Sequence, residues 1–111
     1  DKEKDFENAS CGMIGLESAF GLVNKTLYKS KVPMKSIINL FTVNPAKIFN
    51  ISTNLIEESN MAEINVIDPN VDWTFSVNDI MSKSKNSPII GERLKGRVLV
   101  TINKGYILDR I

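Results

Sequence analysis

The 111 residues carry 14 Lys and Arg against 13 Asp and Glu, a formal net charge of +1, with 42% hydrophobic and 24% charged residues. That balance fits one folded core and lacks the basic stripe that a nucleic-acid partner asks for. No apolar run approaches the roughly 20 residues that span a bilayer, so no membrane partner is expected either. With no histidine there can be no Ser/His/Asp triad and no imidazole metal ligand. The single Cys11 excludes an internal disulfide and any cysteine-based zinc motif, and it fits the reducing cytoplasm. No histidine-dependent catalytic site and no histidine- or cysteine-based metal site is therefore expected in this chain. A chain that opens on Asp1 rather than Met is expected to be a piece of something longer.

Residues 1–8 are charged and aperiodic, as in a loop. From Met13 the period becomes helical: Leu16, Phe20, Val23 and Leu27 fall on one face of a first helix. Gly21 inside that helix costs about 1 kcal/mol relative to Ala, which predicts close packing against a neighbour. Val32-Pro33 breaks this helix and starts a second one bearing Ile37, Ile38 and Phe41. A third is predicted with Asn44 as its cap and Pro45 in its first helical position. Beyond Ile51 the period changes to two. A strand over 63–67 is predicted to end in a turn at Asp68-Pro69-Asn70, and a second strand to carry Trp73, Phe75 and Val77 on its buried face. Residues 82–87, Ser-Lys-Ser-Lys-Asn-Ser, read as a polar loop closed by Pro88. Residues 96–102 form the clearest strand, and Asn103-Lys104-Gly105 turns it into Tyr106-Ile107-Leu108 as a hairpin. Helices first and strands afterwards make an α+β chain, or parts of two domains.

Cys11, Gly12 and Gly15 precede the first helix. A glycine turn that merely starts the helix is the plainer reading; a turn whose backbone groups face an anionic ligand is the sharper one. Cys11 has no base to activate it as a nucleophile. The carboxylates Glu3, Asp5, Glu7 and Glu17 read as solvated, and so does the basic set Lys83, Lys85, Arg93, Lys95, Arg97 and Lys104.

Read as one string, residues 3–19, Glu-Lys-Asp-Phe-Glu-Asn-Ala-Ser-Cys-Gly-Met-Ile-Gly-Leu-Glu-Ser-Ala, resemble a particular segment of dihydroorotases. It is the one after the last metal-site strand, where Ala-Pro-x-Gly-x-x-Gly-Leu-Glu-Thr-Ala leads into a helix. Asn44-Pro45-Ala46-Lys47-Ile48-Phe49 is similar to the family's Pro-Ala-Lys-Ile-Phe helix, and residues 62–69 to its Ala-Asp-Leu-Val-Val-Phe-Asp-Pro strand. Residues 82–88 with Gly91 resemble Ser-Lys-Ser-x-Asn-Thr-Pro-Phe-x-Gly. Gly96-Arg97-Val98, Thr101-Ile102 and Gly105 resemble the closing Gly-Arg-Val-x-x-Thr-Ile-x-x-Gly. The five motifs run in register along nearly the whole chain. Departures fall in turns: Ser10 replaces the usual Pro, and Ser59-Asn60-Met61 a Gly-x-Asp turn.

The resemblance implies an incomplete fragment of a metal-dependent amidohydrolase. Residues 1–51 would be the last helices of a (β/α) TIM-type barrel with a substrate-side loop. Residues 52–111 would be the C-terminal strands of a small accessory β-sandwich. The parent enzyme would use zinc to cyclise N-carbamoyl-L-aspartate reversibly to dihydroorotate in pyrimidine biosynthesis. Its His-x-His pair, metal-bridging lysine and catalytic Asp lie outside these residues, so this chain alone is expected to bind no zinc and to be inactive. The family's Pro-x-Gly loop meets the substrate ring through backbone groups, and the matching positions are Cys11 and Gly12. Implied partners are the remainder of the chain and the small-molecule substrate, with a homo-oligomer left open. Two alternatives stand: a non-catalytic dihydroorotase-like subunit, and a related allantoinase or hydantoinase. The apolar faces of such a piece are expected to need partners, as an extended two-lobed chain or a swapped oligomer.

Overall fold

Helix α1, Ala19–Lys29, ends where its last carbonyls are taken up by the following turn. Val32 N–H donates to Leu27 O and Lys31 N–H to Tyr28 O, with Lys31 at φ 54° in the left-handed position that glycine usually fills. The computed structural model describes residues 5, 7, 12–52 and 56–109. After Pro33 come α2, Met34–Phe41, and α3, Val43–Phe49. Helix α3 starts two residues earlier than its sequence predicts, and Asn44 lies within it rather than capping it. Ala46 N–H donates to Thr42 O, so the first turn is built from Thr42, whose own hydroxyl donates back to Ile38 O of α2. Asn50 closes α3 at φ 52°, with Ile51 N–H donating to Ala46 O.

Three antiparallel strands follow in the order β1 (Glu63–Thr74), β2 (Arg93–Asn103) and β3 (Tyr106–Asp109). The hairpin between β2 and β3 is as predicted: Lys104 (φ 49°) and Gly105 (φ 88°) are both left-handed, the conformation of the tight turn that matches strand twist. The turn at Asp68-Pro69-Asn70 is not a strand boundary. Residues on both sides of it pair with β2, Asp68 with Arg97 and Asp72 with Lys95, so the excursion is a bulge inside one long strand. Asp68 Oδ1 accepts from the Asn70 and Val71 amides, which is turn chemistry set within the ladder. Alternation also stops short of Val77, which sits in a short 3-10 turn, Val77–Asp79, and is exposed. Ser76 N–H and Oγ–H both donate to Asp79 Oδ2 and cap that turn.

Helix α1 meets the sheet through its smallest face. Gly21 and Asn24 are its buried members, and a Cβ on Gly21 would lie 3.0 Å from Gly96 O and 3.1 Å from Leu94 Cβ. This is the close packing its sequence predicted. The apolar stripe takes another course: Leu16 is 95% exposed, and Phe20 stacks edge-on against Phe41 of α2 at 6.1 Å. Among the described residues the buried apolar side chains are few, namely Ile37, Phe75, Ile80 and Leu94, with Ile14, Leu22, Trp73 and Ile89 packed around the last three.

Candidate functional site

The loop that leads into α1 is tied down by the polar loop after Ile80. Gly15 O accepts from Ala19 N–H at 2.7 Å and so begins the helix, which places residues 12–14 just outside it. Ile14 N–H donates to Asn86 O at 3.0 Å, and Asn86 Nδ2 donates to Gly12 O at 2.7 Å. One residue thus grips both ends of a three-residue span. Glu17 Oε1 accepts from Met81 N–H at 2.9 Å, a second tie between the same two loops. Residues 80–88 are also stiffened from within. Lys85 Nζ donates to Ile80 O at 2.7 Å, and Ser82 and Ser84 hydroxyls accept from the Ser84 and Asn86 amides. Buried Ile80 roots the loop in the core.

Gly12 is exposed at the outer end of this arrangement. A Cβ built on Gly12 or on Gly15 would meet nothing within 4 Å, and neither glycine is left-handed, unlike Gly91, Gly96 and Gly105. Neither turn geometry nor packing among the described residues therefore asks for glycine here. Cys11, the other predicted site residue, lies outside the described residues.

Beside α1 a cleft of about 440 Å³ opens over the sheet, with Leu16, Phe20, Trp73, Met81, Val98 and Leu108 among its walls. Most of its polar groups are committed elsewhere, though Arg97 Nε is buried without a hydrogen-bond partner among the described residues. Arg97 Nη2 lies 2.6 Å from Asp79 Oδ1 with the guanidinium over the Trp73 ring, and the Trp73 indole N–H donates to Gly96 O. The cleft is an uncovered apolar seam, without the convergent polar groups of a ligand site. Among the described residues, no three His, Cys, Asp or Glu side chains gather where they could hold a metal. No described helix is long and apolar enough to cross a membrane.

Two expectations change here. Glu17 is not a solvated carboxylate but a half-buried acceptor for the Met81 amide. Arg97 and Lys95 are not simply solvated either, since Lys95 Nζ lies 4.6 Å from the centre of the Tyr28 ring and Arg97 is paired as above. Asn86 carried no site role in the sequence. Its only signal is a run of short polar side chains, which are apt to bond backbone groups.

No protein-family model matches the chain. Among curated proteins it is 37% identical over 109 residues to a dihydroorotase of Clostridium acetobutylicum and 36% identical over 109 residues to one of Clostridioides difficile. It is 38% identical over 113 residues to a dihydroorotase of Endomicrobium trichonymphae. These alignments cover 97%, 97% and 100% of this chain, but 26%, 25% and 27% of the relatives. The chain spans about a quarter of the length of the curated relatives it matches.

Proposed function

We propose, from the premise that this chain belongs to the dihydroorotase family as a C-terminal portion, that its parent protein interconverts N-carbamoyl-L-aspartate and dihydroorotate. The chain's own share would be the substrate-side loop, with Cys11 and Gly12 presenting backbone groups to the ring. The observation that carries this reading is Gly12: an exposed glycine, held by its carbonyl, that nothing among the described residues requires to be glycine. A flat ring approaching the backbone closely would require it, because any Cβ would stand in the way.

In this reading residues 1–51 supply the last helices of a (β/α) barrel, and residues 52–111 supply strands of an accessory β-sandwich. The exposed Leu16 and the apolar seam beside it would be covered by the remainder of the chain. The parent enzyme's zinc would sit on residues elsewhere. The described residues offer no cluster of ligands that fits it. What these residues do is hold the loop still, so that the ring is oriented before reaction. A cytoplasmic enzyme, with a homo-oligomer left open, completes the proposal.

The test is an assay of the intact zinc-loaded protein with dihydroorotate, N-carbamoyl-L-aspartate, hydantoin and allantoin. Turnover of the first two is expected. Turnover of hydantoin or allantoin in their place, or of none of the four, would refute the proposal.

A further inference from the structure

We infer that Asn86 is a positioning residue for substrate binding, acting through the loop at Gly12; the inference rests on the reading that this loop meets the ring. The geometry is specific. The Asn86 side-chain amide donates to Gly12 O at 2.7 Å, while its main-chain carbonyl accepts from Ile14 N–H at 3.0 Å. The carbonyl of Gly12 is thereby aimed, and the rotation of the 12–13 peptide with it. Asn86 lies 74 residues along the chain from Gly12, so this is a tertiary clasp and not a local turn.

The clasp is itself braced. The Glu17 carboxylate accepts from Met81 N–H and so ties the two loops, while the Lys85 ammonium donates to Ile80 O and stiffens residues 80–86 from within. Both tied segments are rooted in buried residues, Ser18 on one side and Ile80 on the other. The outcome is a preorganised loop. Without the side-chain bond, Gly12 would keep its fold but lose a fixed carbonyl direction, and substrate binding would have to supply the ordering. The effect should therefore fall on KM more than on kcat.

The experiment compares Asn86→Ala, Asn86→Asp and Gly12→Val in the intact enzyme, measuring KM, kcat and Tm. Asp keeps the size of Asn but sets an acceptor against Gly12 O, so it serves should Ala perturb folding. Both Asn86 variants are expected to raise KM for dihydroorotate by about five- to tenfold, as the loss of one hydrogen bond implies. They should leave kcat within about twofold and Tm within about 2 °C, since the bond is solvent-exposed. Gly12→Val should raise KM further or abolish turnover. An unchanged KM in both Asn86 variants beside a damaged Gly12→Val would overturn the positioning role and leave the loop reading intact. A lowered Tm with unchanged KM in the Asn86 variants would do the same, marking the clasp as structural only. Unchanged kinetics in Gly12→Val would refute the loop reading, and the inference with it.

Discussion

Asn24 shows how one polar side chain can make a helix fit a broken ladder. It is fully buried, and its Nδ2 donates to Pro69 O and to Lys95 O, both at 2.9 Å. Those carbonyls flank the bulge, where β1 and β2 stop serving each other, so the helix supplies the donor that the sheet withholds. Gly96 makes the approach possible: at φ 84° a Cβ there would lie 2.7 Å from Asn24 Nδ2 and 2.9 Å from Phe20 Cε1. Asn24→Ala in the intact protein should cost about 2–4 kcal/mol, because two buried carbonyls lose their donor and a small void opens. Urea unfolding followed by tryptophan fluorescence measures it, with Trp73 the reporter in this chain. A loss below about 0.5 kcal/mol would mean that water satisfies those carbonyls and that Asn24 is not the clamp.

At the scale of elements, the helices and the hairpin were readable because their signals are local. Pro33 and Gly105 act on their own dihedrals, and the 3.6-residue period marks a helix wherever its faces point. What α1 packs against was not readable. Its apolar stripe marks a face to be covered without naming the cover, and it is Gly21 and Asn24 that meet the sheet, since only small residues let the helix axis approach Gly96. The strand boundary at Asp68 failed for a related reason. Asp-Pro-Asn carries the same Asx bonds whether it ends a strand or bulges one, and only the eleven-residue length of β2, able to pair on both sides, decides between them. The candidate site was half readable. Gly12 could be found from its motif, whereas its clasp by Asn86 depends on a contact across 74 residues that no local pattern encodes. Asp68→Ala should loosen the bulge by about 1 kcal/mol through loss of two amide acceptors, and speed exchange of the Asn70 and Val71 amides. Slow exchange at both amides in that variant would show that the bulge is held from β2 instead, for example through Lys95 Nζ donating to Asn70 O.

Taken whole, the chain exposes 8875 Å². A compact monomer of this mass exposes about 6,100 Å². Its radius of gyration, 16.2 Å, likewise exceeds the roughly 13 Å of a compact chain of this length. Both excesses reflect an elongated chain, 52 × 32 × 32 Å across, with apolar side chains on its surface. Leu16, Ile48, Phe49, Ile56, Met81 and the hairpin residues Tyr106, Ile107 and Leu108 are among the large apolar groups left exposed. The two ends of the molecule have different roles in the proposed account: the Gly12 loop meets ligand, and the hairpin packs on neighbouring chain. Hydrogen–deuterium exchange on the intact protein, with and without saturating dihydroorotate, separates those roles in one measurement. The account predicts slowed exchange in residues 12–17 on ligand addition and no change at the Lys104-Gly105 turn. Unaltered exchange across residues 12–17 at saturating dihydroorotate would contradict it.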